Sequence, residues 1–469
     1  MSGAITEISR ARLQRDADVL LNNFSDTDVA NSQRFAAQHA ENVRYTAEAG
    51  WLIYDGRRWA IDQKDVSVTA LAKQTAMSIY DEIKGAENRD QIFAWAKRSQ
   101  SRRSIEAMIF LARSEAGILT KLTTFDRDPM LLNLENGTLD LATGQIRAHR
   151  REDFITKLVP IRYQKDAECE LWDAFLWRVV GESVELYEYL RRLVGYLLTG
   201  STTEQVLHFL HGLGANGKSV FCEVLQRLLG DYGVVLSPEV LMLKRHGGIP
   251  NDIARLRGAR MAALNETTQG SRFDEAKLKD LTGGDTLTAR FLHREFFDFS
   301  PTHKILIRGN HKPVINGTDE GIWRRLRLVP FTVQIPTEEQ DHRLVEKLNS
   351  EVSGILNWAV QGCLEWQRDG LMPPPSVTEA VQRYREESDT LGRFISESCI
   401  SDPPAQVKAS ALYQRYVTFC EAAGERWIPQ KDFPAEMERR GFVYKRGTGG
   451  QRLYVGIELS HSESSWEAE

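Results

Sequence analysis

Residues 207–225 read LHFLHGLGANGKSVFCEVL. A short apolar run enters a loop of three glycines, and the loop delivers Lys218, Ser219 and a second apolar run. Gly212, Gly217, Lys218 and Ser219 satisfy the spacing G-x-x-x-x-G-K-[ST] of a phosphate-binding loop. Glycines let the backbone curl until successive N–H groups point inward at phosphate oxygens. A helix beginning near Lys218 adds the positive end of its dipole. The flanks agree, since Val206–Leu210 reads as a strand and Val220–Leu229 as an amphipathic helix. The nucleotide-contacting set is therefore Gly212, Gly214, Ala215, Asn216, Gly217, Lys218, Ser219 and Val220. Lys218 would meet the β/γ-phosphates of ATP, and Ser219 would ligate Mg²⁺. A bound nucleotide alone fits kinases, GTPases, transporters and motors, so the downstream elements must choose.

RMAALNET (260–267) is an apolar strand ending in a carboxylate. A nucleotide hydrolase needs an acid at such a strand end, to hold the Mg²⁺ shell and orient the attacking water. Glu266 is the candidate, as catalytic residue and metal ligand. Asn265, before it, brings an amide where many such enzymes carry an acid. HKILIRGN (303–310) is another apolar strand ending in an amide, and Asn310 is placed to sense the γ-phosphate or position water. GIWRRLRLVPF (321–331) presents Arg324, Arg325 and Arg327 beside a short strand; surface arginines pairing with nearby acids would look the same. An arginine that enters a neighbouring subunit's site accelerates hydrolysis by roughly 10³–10⁵. Between these runs, TLTARFLHREFFDF alternates like a hairpin, with His293 and Arg294 near its tip and a DNA backbone as a plausible target.

The order GLGANGKS, ALNET, LTGGDTLTARFLHREF, ILIRGN and GIWRRLRLVPF resembles superfamily 3 helicases, and more narrowly the phage and plasmid primase-helicase family that includes the poxvirus primase-helicase. LNLENGTLDLATG and LRRLVGYLLTG upstream are similar to that family's helicase-preceding domain, and ALYQRYVTFCEAAGE…GFVYKRG…RLYVGIEL to its terminal winged helix. The resemblance implies an α/β fold: an AAA+-like ATPase core with a mainly parallel sheet, between an α+β N-terminal domain and a winged helix. It implies an ATP-driven, ring-forming, hexameric DNA helicase, moving 3′→5′ on single-stranded or forked DNA. Lys218 and Ser219 would bind phosphate and Mg²⁺, Glu266 activate water and Asn310 act as sensor. Arg325 is the first choice of finger and Arg324 the second, while His293 and Arg294 would touch DNA. The setting would be replication of a phage, plasmid or integrated element, in a bacterial host cytoplasm. The other reading is an ATP-dependent initiator or loader without processive unwinding. Full-length relatives carry a primase domain first. About 25 residues precede the similarity here, so no primase activity is expected and a separate primase becomes a candidate partner.

The chain has 469 residues, too many for one core. The segments read as a helical and hairpin region (1–130), hairpins and helices (131–200), the ATPase core (201–370), a proline-rich linker (371–378), a winged helix (379–460) and a disordered tail (461–469). WLIYDGRRWAI reads as a hairpin about a two-residue Asp55-Gly56 turn, and Trp172–Leu198 as core helix. The net charge of −5 argues against coating nucleic acid with the whole surface. Charge is local, however. Arg426–Gly456 holds seven basic residues and three acids, a +4 patch. There Lys445, Arg446 and Arg452 are candidate DNA-phosphate contacts. Five scattered cysteines make neither a zinc pattern nor a disulfide framework, which suits a reducing cytoplasm. No run of about 18 apolar residues exists, so no membrane span is expected.

Overall fold

The computed structural model describes residues 25–84, 86–243, 251–265, 271–290, 296–315, 320–447 and 450–460. Glu266, His293, Arg294 and the tail 461–469 lie outside them. Among the described residues, no helix is long and apolar enough to cross a membrane.

The first element is helix α1 (Asp28–His39), started by Thr27, whose hydroxyl accepts from the Ala30 N–H at 3.1 Å. A three-stranded antiparallel sheet follows: β1 (Val43–Thr46), β2 (Gly50–Tyr54) and β3 (Trp59–Ile61). β1 buries Val43 against Phe35 and Trp51. Tyr54 pairs with Trp59, so the turn spans four residues, not two. Asp55 holds it, its carboxylate accepting from the N–H groups of Arg57 and Arg58 at 2.8 and 2.9 Å. Helices α2 (Val66–Ser78) and α4 (Arg102–Ala112) pack around Phe35, Trp51 and Met108, and α3 (Arg89–Ser99) buries Trp95 and Ala96 beside Ile79.

A second antiparallel sheet, β4 (Leu131–Leu134), β5 (Gly137–Asp140) and β6 (Gln145–Arg147), leads to helices α5 (Glu170–Val179) and α6 (Val184–Leu198). The stretch read as one helical pattern thus breaks in two. Gly181 and Glu182 both take left-handed backbone, at φ 65° and 61°, and Ser183 caps the new helix.

The central layer is a five-stranded sheet in which every pairing is parallel. β7 (Leu207–His211) leads through α7 (Lys218–Leu229) to β8 (Gly233–Leu236) and β9 (Met261–Asn265). Then come α8 (Glu275–Thr282), a hairpin of β10 (Leu287–Arg290) and β11 (Phe296–Phe299), β12 (Lys304–Gly309) and β13 (Leu326–Pro330). The spatial order is β13-β7-β12-β9-β8. Leu207, Leu210, Ile307 and Val329 are fully buried, each contributing about 1.5–3 kcal/mol relative to exposure. Near-continuous apolar strands are what a parallel sheet covered on both faces requires. The expected hairpin is present, with Arg290 opposite Phe296.

One face is covered by α5, α6, α7 and the later helices α9 (Leu344–Ser350) and α10 (Val352–Asp369). Trp172 on α5 stacks on Phe221 of α7, rings 5.8 Å apart. Gly195 of α6 lies so close to α10 that a Cβ there would sit 2.0 Å from the Cys363 nitrogen. Residues 375–378, read as linker, instead open helix α11 (Pro375–Ser388). Its Tyr384 packs edge-on to Trp323 at 5.4 Å, beside β13.

The last unit holds α12 (Thr390–Ser398), β14 (Cys399–Ile400), β15 (Gln406–Lys408), α13 (Ala409–Ala422), α14 (Phe433–Arg439), β16 (Val443–Arg446), β17 (Arg452–Val455) and β18 (Glu458–Leu459). Its core is Phe394, Leu412, Tyr416, Phe433 and Tyr454. β15, β17 and β16 form one antiparallel sheet.

Candidate functional site

In a parallel sheet the strand ends and following helix starts converge on one edge. The chain runs from β7 outward to β8, works back through β9 and β12, then crosses over β7 to β13. The reversal falls between β7 and β12. Ligand crevices of open α/β sheets form at the carboxyl ends of strands at such a point.

The loop 212–217 leaves β7 there. Gly217 has φ 83°, a conformation that favours glycine, and is the residue from which α7 starts. Ala215 also takes positive φ, 58°. Its carbonyl accepts from the Ile335 N–H at 2.8 Å, tying the loop to the chain beyond β13. Asn216 donates to the Phe331 carbonyl at 2.8 Å. The buried Lys218 folds back under the loop. Its Nζ meets the carbonyls of Gly212 (2.7 Å) and Leu213 (3.2 Å), Asn216 Oδ1 (2.9 Å) and Asn310 Oδ1 (3.1 Å). Ser219 is exposed on the first turn of α7.

Lys218, Ser219, Asn216 and Asn310 line a cavity of about 710 Å³, as do Gly214, Ala215, Gly217 and Val220, whereas Gly212 is buried beneath the loop and is not part of the lining. The structure adds three residues the sequence reading missed. Arg308 donates through Nε to Asn265 Oδ1 at 2.9 Å, so the amide in the strand-end position engages a guanidinium. Arg308 Nη1 is buried with no hydrogen-bond partner among the described residues. A buried guanidinium N–H without an acceptor is costly and fits an anionic ligand. The available signal was an arginine placed directly after ILI near the end of a mainly apolar strand, two residues before Asn310. Arg178 of α5 pairs with Glu339 at the cavity wall, which no local pattern encodes. Leu171, Ala174 and Phe175 also line the cavity, so the α5 stretch read as core has one face on it.

Not every candidate converges here. Arg324 and Arg325 precede β13, and the Arg325 carbonyl accepts from the Leu207 N–H at 2.8 Å. They therefore lie at the opposite, amino end of the sheet. Arg324 is exposed, while Arg325 donates to the Gly321 carbonyl at 2.9 Å and keeps its Nε buried without a partner among the described residues. In the last unit Arg446 sits opposite Arg452, and Lys445 opposite Leu453. Arg446 and Arg452 thus share one face and Lys445 points to the other. Glu266 follows β9 directly but is outside the described residues, as are His293 and Arg294.

Fold and site together define an α/β protein with a buried lysine at the switch point of a parallel sheet. Residues 32–181 match the family described as D5 N terminal like, and residues 210–325 a family of unknown function, DUF5906. A candidate helicase of Acanthamoeba polyphaga mimivirus is 28% identical over 71% of this chain and 37% of its own length. A candidate primase of African swine fever virus (isolate Tick/Malawi/Lil 20-1/1983) is 25% identical over 61% of this chain and 32% of its own. The chain thus spans about a third of the length of these relatives. The apo C-terminal region of NrS-1 aligns over 89% of this chain and 96% of that one, at 11% identity and a TM-score of 0.47. The resemblance to the viral primase-helicases read from the sequence is borne out.

Proposed function

We propose that the chain is an ATP-driven DNA helicase of replication. The observation that carries this reading is the Lys218 ammonium, held between the loop 212–217 and Asn310 at the wall of a cavity large enough for a nucleotide. The loop is a phosphate loop in this reading, and the sheet an AAA+-like ATPase core.

Inward N–H groups of the loop and the first turn of α7 receive the phosphates, and Lys218 and Arg308 offset their charge. Binding draws Lys218 off its carbonyl ligands toward the β/γ-phosphates. Mg²⁺, when bound, supplies further charge neutralisation, and the Ser219 hydroxyl and the Glu266 carboxylate would hold it. Glu266 takes the proton of the attacking water, and the Asn310 amide orients that water. Arg325, or Arg324 beside it, completes the site of a neighbouring subunit. Its place at the far end of the sheet supports a shared site, because one molecule cannot bring it to its own loop. Such a head-to-tail arrangement closes into a ring, here taken as a hexamer. The β10–β11 hairpin grips single-stranded or forked DNA during 3′→5′ movement, with His293 and Arg294, which the sequence places between its two strands, as the DNA contacts. The last unit is read as a winged helix whose Lys445, Arg446 and Arg452 contact phosphates, and a separate primase is the candidate partner.

Unwinding of a tailed duplex with Mg²⁺-ATP is the test. DNA-stimulated hydrolysis with no strand displacement, at any tail polarity, would leave the initiator or loader reading instead.

A further inference from the structure

A second cavity, of about 410 Å³, opens on the last unit. Its floor is aromatic. Tyr413 and Phe433 meet edge-to-face at 5.1 Å, and the rings of Tyr444 and Tyr454 lie 5.4 Å apart. Tyr454 and Phe433 are buried in the core, whereas Tyr444 keeps 38% of its surface exposed. Tyr413 commits its hydroxyl to the Ile428 carbonyl at 3.1 Å. The rim carries Arg452, Lys408 and the amides of Gln430 and Gln451, and no carboxylate lines the groove among the described residues.

Strand register sets the geometry. Tyr444 is opposite Tyr454 and Arg446 opposite Arg452, so an exposed ring and two guanidinium groups share one face. Both arginines are exposed, and neither has an ion-pair partner among the described residues. An exposed ring with cations one strand-step away matches the combination that holds unpaired nucleotides: a π-face for a base and positive charge for the backbone. A paired base has both faces covered by its neighbours and cannot use such a ring.

We propose that this groove is a single-stranded DNA subsite. One base stacks on Tyr444, its backbone phosphate lies against Arg446 and Arg452, and Gln430 and Gln451 meet the base edge. The proposal rests on reading the chain as a DNA-binding protein and adds to it a strand-selective site that needs neither ATP nor the central hairpin.

The test uses the full chain without nucleotide, titrated into a fluorescein-labelled oligothymidylate and, in parallel, a labelled duplex of equal length. Tyr444→Ala is expected to weaken oligothymidylate binding by roughly five- to hundredfold and duplex binding far less. Tyr444→Phe keeps the ring and retains binding. Arg452→Ala weakens both and lowers the salt-dependence slope by about one. Thermal melting of each variant separates lost contact from lost fold. Unchanged oligothymidylate affinity in Tyr444→Ala, equal losses on both DNAs, or a Tyr444→Phe protein as weak as Tyr444→Ala would each overturn the subsite. Because ATP is absent, failure to hydrolyse or unwind would sink the helicase reading while leaving a measured strand preference standing.

Discussion

Lys218 Nζ lies 3.1 Å from Asn310 Oδ1, joining the helix after β7 to the end of β12 across 92 residues of chain. The contact spans the switch point of the sheet, so Asn310 both fixes the ammonium and faces the cavity. Lys218→Ala is expected to reduce ATP hydrolysis by roughly 10²–10³, the usual cost of losing one preorganised charge-stabilising donor. Asn310→Ala should lower turnover while leaving nucleotide affinity nearly intact. Phosphate release and nucleotide titration on the same preparations measure the two effects. Full turnover in Lys218→Ala would remove the loop from the chemistry.

Arg308→Gln tests the unpartnered guanidinium N–H. A charged hydrogen bond contributes about 1.5–3 kcal/mol, so ATP affinity should fall about ten- to hundredfold. Titration with a fluorescent ATP analogue reads this directly. An affinity equal to that of the parent protein would mean that Arg308 supports Asn265 rather than a phosphate.

Arg325→Ala should reduce turnover by roughly 10³ or more without lowering nucleotide affinity. If the site is shared, mixing this variant with Lys218→Ala protein restores activity at interfaces that pair an intact loop with an intact arginine. Mixtures no more active than the sum of their parts argue for sites closed within each subunit.

Gly195→Ala pits two effects against each other. Alanine gains about 1 kcal/mol of helix propensity. Its Cβ, however, would stand 2.0 Å from the Cys363 nitrogen, a backbone atom that cannot rotate away. Overpacking of this kind costs about 1–3 kcal/mol, sometimes more, so a lower thermal midpoint is expected. A raised midpoint would mean that α6 and α10 separate easily.

His208 and His303 are wholly buried. Burial pushes His208 down to about 3, with Arg327 and Lys304 adding to the shift, and His303 down to about 4, with Lys304 adding. Both stay neutral in the folded chain where the unfolded chain takes up protons, below about 6.5. Stability therefore falls as pH drops from 6.5 toward 4, by about 1.4 kcal/mol per unit for each histidine. Denaturant midpoints at pH 7.0 and 5.5 (~1 unit below the free histidine value) should differ, and less so in His208→Gln. Equal sensitivity in the variant would assign the effect to other groups.

The sequence made β7, β9 and β12 legible because each is an apolar run closed by a polar residue, and β13 because its apolar residues follow a cluster of arginines. β8 escaped notice: Gly233–Leu236 is four residues long, and Val235 is exposed, so it shows neither a long run nor clean alternation. The prolines before α11 read as linker, yet proline suits a first helical turn, where its missing N–H has no partner to lose. What decided the matter was burial of Val377 and Tyr384, which depends on partners far away. The site divides the same way. The loop is a local pattern and could be read. Arg308 and the Arg178–Glu339 pair gain their meaning from strands and helices distant in sequence.

Trp366 Nε1 donates to Glu204 Oε1 at 2.8 Å, and the Tyr196 and Trp366 rings lie 4.6 Å apart. The polypeptide therefore enters and leaves the central sheet through one doorway, where α6 and α10 are pressed together. A unit whose ends meet can be transplanted or permuted without redrawing its interior. New first and last residues placed at the exposed Ser237 after β8, with the unit's own ends joined near Glu204 and Trp366, would keep all five strands in register. The same doorway would let such a sheet be inherited between unrelated flanking segments as a ready-made cassette.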